Sequence, residues 1–163
     1  MPLELGEKLP NFALPTDEGG TLTHTNLEGK TTVLYFYPRD DTPGCTTEAK
    51  DFTAALPEFT RAGVTVVGIS ADDIESHRKF KQKHGLAITL VTDTDKELAQ
   101  ALGVWGEKSM YGKKFMGMER ATFLIDKHGV VRKAWRKVKV NGHVSEVLRE
   151  AGNLAVASGT DIG

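Results

Sequence analysis

Apolar positions follow two periods along the chain, and the change between them marks out its elements. Residues 31–37, "TTVLYFY", are β-branched and aromatic with almost no polar alternation. That pattern predicts a strand covered on both faces of a central sheet. "VTVVGIS" (64–70) and "AITLVTD" (87–93) have the same character. Between the first two strands the period becomes three and four, with Ala49, Phe52, Leu56 and Phe59 on one face, which predicts an amphipathic helix. Pro57 lies inside that pattern and predicts a kink or interruption, and Gly63 closes it. "DDIESHRKFKQKHG" (72–85) reads as a polar helix with acids first, bases late and Gly85 as its stop, in line with the helix dipole. Thr94 and Glu97 form a capping box ahead of "KELAQALG". "ATFLID" (121–126) and "VVRKAWRKV" (130–138) flank "KHG" as a hairpin, and 142–152 is a last helix before a loose tail over 153–163. A short N-terminal hairpin pairs 12–14 with 21–23.

Strands alternating with helices predict an α/β domain of three layers, mostly parallel, with an antiparallel pair near the C-terminus making the sheet mixed. The expectation is one domain over 1–163. Residues 104–119, "VWGEKSMYGKKFMGME", fit no regular element, and both a functional loop and a surface excursion are open. Met110, Met116 and Met118 there read either as an oxidation-sensitive group or as loop packing.

The formal net charge of -1 carries neither a basic excess for nucleic acid nor an acidic one for a solvating tail. "RKAWRKVK" is basic but narrow, and reads as alternating strand faces. No apolar run approaches the roughly 20 residues of a membrane span. "MPLELGEKLPNF" lacks the pattern of a signal peptide. His24, His77, His84, His128 and His143 are scattered. His77 and His84 share a helix, but its polarity predicts exposed side chains rather than a metal pair. Asp40-Asp41, Asp72-Asp73, Asp93 and Asp95 read as polar loops and caps.

One cysteine, Cys45, excludes a disulfide within the chain and fits a reducing compartment, the cytoplasm. It lies in "YPRDDTPGCTTEAKDF" (37–52), beyond the carboxyl end of a strand, where α/β sheets bind ligands. Thr42 is a good N-cap, Pro43 suits the first helical position, and Cys45 stands third, where a capping box holds an acid. Free N–H groups and the helix dipole favour negative charge there. The alternative is a small buried hydrophobe, against which the polar neighbours Thr46 and Thr47 argue. An ordinary thiol is only ~3% ionised at pH 7, so full ionisation gains ~30-fold, about 2 kcal/mol. An efficient thiol enzyme therefore also needs donors aimed at its leaving group. Thr42, the first-turn N–H groups and one of Arg39, Arg120 or Arg132 are the candidates.

Pro38-x-x-x-Thr42-x-x-Cys45 resembles the peroxidatic motif of peroxiredoxins, and the longer stretch is similar to their bacterioferritin-comigratory-protein, or Q, subfamily. The likeness extends through "GVTVVGIS", "ERATFLID" and "AWRKVKVNGH", roughly residues 4–152. It implies a thioredoxin-like fold with an added N-terminal hairpin. It implies that Cys45 attacks a peroxide and becomes a sulfenic acid, that Thr42 hydrogen-bonds the peroxide, and that Pro38 shields the product. Arg120 would orient the peroxide and Glu48 would orient that arginine. No metal, haem or flavin is implied, and the subfamily is largely monomeric, with a dimer left open. The chain departs from the pattern at Lys50, where many members carry a resolving cysteine; none stands in 73–84 either. The resemblance thus points to an external thiol reductant: thioredoxin, glutaredoxin or a low-molecular-weight thiol. A general thiol–disulfide oxidoreductase is disfavoured by Cys45-Thr-Thr-Glu48, which is not a Cys-x-x-Cys pair. A redox sensor or chaperone-like thiol protein is the remaining alternative.

Overall fold

The computed structural model describes residues 3–160. In chain order the elements are β1 (Ala13–Pro15), β2 (Thr21–Thr23), a 3-10 turn (His24–Leu27), β3 (Thr31–Phe36), α1 (Pro43–Arg61) and β4 (Val64–Ser70). There follow α2 (Ile74–His84), β5 (Thr89–Thr92), α3 (Glu97–Ala101), β6 (Trp105–Met110) and β7 (Lys113–Met118). The chain continues with β8 (Ala121–Ile125), β9 (Val131–Trp135) and α4 (His143–Thr160). The main sheet has the order β5-β4-β3-β8-β9. β3 pairs parallel with β4 and antiparallel with β8, so the sheet is mixed.

Every residue of β3 is buried, as its unbroken apolar run requires. Alternation along the strand feeds two cores. Val33 and Tyr35, with Tyr37 just beyond, join Phe52 and Phe59 of α1, Phe80 of α2 and Val147 of α4. Leu34 and Phe36 join Leu98 of α3, Met118 of β7 and Phe123 of β8. Helices therefore cover both faces of the sheet, which is the expected three-layer α/β arrangement. Gly68, opposite Tyr35 in register, is where the first core is tightest: a Cβ there would lie 2.7 Å from the Tyr35 ring. The glycine lets that ring lie across the neighbouring strand and stack on Phe52 at 4.4 Å.

Several expectations need correction. Pro57 does not interrupt α1, which runs on to Arg61. Pro57 is exposed, and buried Phe52 and Phe59 hold the helix to the sheet on either side of it. The capping box at Thr94 does not form. The N-cap is Lys96, without a side-chain bond, and the Asp93 carboxylate accepts from the Ala99 N–H at 2.9 Å instead. Residues 104–119 are regular: β6 and β7 pair antiparallel through Tyr111 and Gly112, both at positive φ. That is the two-residue turn whose twist suits a hairpin. Met118 there is buried in the second core, Met116 is exposed, and the Met110 side chain lies outside the description. α4 extends past 152 to Thr160, through most of the stretch read as a tail; 161–163 lie outside the described residues. Finally, His77 is fully buried and His84 Nε2 is hydrogen-bonded to Asp41 at 2.7 Å, where the polarity of the helix predicts both in solvent. Asp40, read as loop polarity, is buried too.

Candidate active site

Thr42 sits at the N-cap of α1 with extended dihedrals, φ -100° and ψ 156°, and Pro43 begins the helix. The Thr42 side chain makes no cap bond; its hydroxyl donates to the Arg39 carbonyl at 2.9 Å. The first intrahelical bond runs from the Thr46 N–H to the Thr42 carbonyl, 2.8 Å. The N–H groups of Gly44 and Cys45 precede it and have no acceptor within the helix. They are fixed donors beside the sulfur.

Cys45 is only 1% exposed and belongs to the core cluster that holds Tyr35, Tyr37 and Phe52. The polarity of Thr46 and Thr47 thus misjudged its depth: those side chains turn away while the thiol turns inward. What separates it from an inert core cysteine is Arg120, at the link between β7 and β8. Its Nη2 donates to Cys45 Sγ at 3.4 Å, and its Nη1 donates to Glu48 Oε1 at 2.7 Å. Gly44 makes room for this, since a Cβ there would lie 3.0 Å from Arg120 Nη2.

Glu48 follows Cys45 by one helical turn and is wholly buried. Burial pushes its carboxyl from the ordinary 4.5 up to about 7, and Arg120 beside it restrains the rise. Its Oε2 has no hydrogen-bond partner among the described residues. One guanidinium thus faces two groups able to carry negative charge. His143, at the start of α4, lies beyond. Its Nε2 meets the Thr122 hydroxyl at 2.8 Å, its ring stands edge-on to Trp135, and burial lowers it to about 4. It is neutral at pH 7. Nothing in its sequence surroundings set it apart from the other histidines.

Of the remaining candidates, Pro38 is half-buried directly after Tyr37. Arg39 is exposed, and Arg132 is committed to Asp126 at 3.2 Å. Only Arg120 of the three arginines reaches the sulfur. Lys50 is exposed on α1. Among the described residues no group of histidine, cysteine and acidic side chains could hold a metal ion, and no helix is long and apolar enough to cross a membrane.

Residues 5–134 match the AhpC/TSA family. The chain belongs to that family. It is 51% identical over 148 residues to a putative peroxiredoxin Bcp of Coxiella burnetii, covering 91% of this chain and 98% of the relative. It is 48% identical over 149 residues to peroxiredoxin Bcp of Bacillus subtilis, covering 91% and 95%. Among solved structures, the bacterioferritin comigratory protein of Xanthomonas campestris, described for its alkyl peroxide reduction activity, superposes with a TM-score of 0.84 at 46% identity. That match covers 88% of this chain and 92% of that one. The enzyme is a peroxiredoxin, a thiol-dependent peroxidase of the thioredoxin-like fold, and its similarity is to the Bcp, or peroxiredoxin Q, members.

Proposed function

We propose that Cys45 reduces hydrogen peroxide and organic hydroperoxides, with Arg120 holding both the thiolate and the peroxide. The observation that carries this reading is the guanidinium itself: one nitrogen lies 3.4 Å from the sulfur while the other is fixed by Glu48. In the reaction, Sγ attacks one oxygen of ROOH, an S–O bond forms, and the O–O bond breaks. The products are the Cys45 sulfenic acid and RO⁻, which takes a proton to leave as water or alcohol. Arg120 and the N–H groups of Gly44 and Cys45 face the charge that develops. The Thr42 oxygen, whose proton is engaged by Arg39, keeps lone pairs to accept the peroxide O–H. Pro38 shields the sulfenic acid from water.

Resolution takes two external thiols. The first displaces water from the sulfenic acid and forms a mixed disulfide; the second releases Cys45 as thiol and leaves as the oxidised disulfide. Thioredoxin, glutaredoxin and low-molecular-weight thiols all fit this stoichiometry, and an intramolecular route is closed because Cys45 is the sole cysteine. On this reading the protein works in the cytoplasm, where its one cysteine stays reduced, as a monomer unless two copies pair.

Peroxide consumption with dithiothreitol as reductant, compared among wild type, Cys45→Ser and Arg120→Ala, tests the reading. Turnover is expected from wild type alone at full rate. No turnover by wild type would leave a redox sensor, and full activity in Arg120→Ala would remove the arginine from its assigned part.

A further inference from the structure

The loop between β3 and α1 carries Pro38 and Thr42, and it is tied to α2 by a buried polar network. Asp40 Oδ1 accepts from the Tyr37 hydroxyl at 2.6 Å, and Oδ2 accepts from the Ser76 hydroxyl at 2.8 Å. His77 Nδ1 lies 2.7 Å from Oδ2. The other ring nitrogen, Nε2, meets the Val91 carbonyl of β5 at 3.1 Å. A carbonyl only accepts, so Nε2 carries a proton. The Nδ1–Asp40 contact is bridged by a further proton. The backbone N–H of Asp40 is itself bound, to Asp72 Oδ2 at 2.8 Å.

His77 is wholly buried, and its ring meets groups from three other parts of the chain: Tyr37 after β3, Asp40 in the loop and Val91 in β5. In such a place the direction of each hydrogen bond is fixed, and an unmatched partner is strongly disfavoured. The residue after Asp40 adds a second observation. Asp41 has φ 58°, a left-handed conformation that a non-glycine residue keeps where its surroundings over-determine it. Its carboxylate bonds Lys83 and His84 at the far end of α2, 2.8 and 2.7 Å away. That second tie is largely exposed, so it holds weakly; the buried one governs.

We propose that Asp40 and His77 are positioning residues for the peroxide step, their buried hydrogen bond fixing the backbone that presents Pro38, Thr42 and the first turn of α1. They touch neither sulfur nor substrate. Asp40 lies two residues before the N-cap, so a shift of its backbone is passed to Thr42 and the Gly44 and Cys45 N–H groups. Displacements near 1 Å at reacting groups lower rates by about a hundredfold. This inference rests on the peroxidase reading of Cys45.

Two measurements test it. The first is independent of activity: nitrogen-15 NMR of the wild-type protein labelled at histidine. A protonated Nε2 and a slowly exchanging, downfield proton bridging Nδ1 are expected for His77; a bare Nε2, or solvent-like exchange, would overturn the network. The second is the second-order rate of Cys45 oxidation by peroxide, followed by stopped flow. Asp40→Asn is expected to be slower by about tenfold to a hundredfold, and Lys83→Ala to stay within about twofold. The pair Asp40→Asn with His77→Gln keeps a neutral hydrogen bond between the two positions, so melting should lie closer to wild type than for Asp40→Asn alone while the peroxide step stays slow. A folded double variant at the wild-type rate would make the pair merely structural. Should that variant not fold, Tyr37→Phe serves instead: a several-fold loss supports the proposal and an unchanged rate overturns it. If wild type itself does not turn over peroxide, the peroxidase reading fails while the NMR result stands on its own.

Discussion

Arg120 is shared between Glu48 and Cys45, at 2.7 Å from the carboxylate and 3.4 Å from the sulfur. The shorter bond orients the guanidinium and the longer one leaves room for it to shift towards a substrate oxygen. Replacing Arg120 by alanine is expected to lower the rate of Cys45 oxidation about a hundredfold or more, the usual result of removing one donor aimed at developing charge. Arg120→Lys should recover little, because a lysine cannot face two partners with a planar fork. Stopped-flow rates on the two variants check this.

Glu48 gives stability a specific pH dependence. Its folded pKa of about 7 lies above the ordinary 4.5 of the unfolded chain. Between those values the folded state binds the extra proton, so stability falls as pH rises from 4.5 to about 7 and then levels off. The full span corresponds to roughly 3 kcal/mol. His143 works the other way. Lowered from 6.5 to about 4, it leaves the unfolded state with the extra proton in that interval, so stability rises with pH between about 4 and 6.5. The two slopes oppose one another in wild type. Thermal melting from pH 4 to 8 should show Glu48→Gln gaining stability with pH and His143→Gln losing it. Parallel curves for both variants and wild type would refute the assignment.

Thr42 separates chemistry from stability. Its hydroxyl bonds a loop carbonyl and caps nothing, so Thr42→Val should destabilise by less than the ~1 kcal/mol of an ordinary N-cap loss. The peroxide step should nevertheless slow by at least about tenfold, as expected when a positioned polar contact in a transition state is removed. Thr42→Ser should retain most of the rate. Denaturant midpoints and peroxide kinetics on both variants are the test.

Lys50 is exposed while Cys45, five residues earlier on the same helix, is buried. Residues so spaced in an α-helix have Cα atoms ~8.6 Å apart, beyond the ~7 Å limit of a disulfide. Oxidised Lys50→Cys is therefore expected to lose amide-exchange protection over the first turns of α1, whereas the reduced variant should not. Wild type has no second thiol to resolve it, and its sulfenic acid persists until a reductant arrives. Mass spectrometry after excess peroxide should show Cys45 carrying two or more oxygens.

The central strands were legible because a strand covered on both faces reads as an unbroken apolar run, as at Val33–Leu34–Tyr35–Phe36. The helix start was legible because Thr42 and Pro43 are local signals. The β6–β7 hairpin was not, since its alternation is blurred by glycines and methionines; the Tyr111-Gly112 pair was its one turn signal. The depth of Cys45 depends on Tyr35 and Tyr37, which another element supplies. Arg120 lies 75 positions from Cys45, and only the family resemblance singles it out from Arg39 and Arg132. His77 and Asp40 are 37 positions apart, and nothing local in either stretch names the other. A polar side chain whose partner is distant in sequence carries no local sign of burial, as His77 and Asp40 show.

The proposed nucleophile of this enzyme is also a brick in its wall. Because Cys45 Sγ packs in the same cluster as Tyr35, Tyr37 and Phe52, each oxygen it gains acts on the interior as an enlarging, polar substitution would. The redox cycle is thus expected to strain and relieve the interior in turn, with the oxidised protein melting below the reduced one and a reductant restoring the difference.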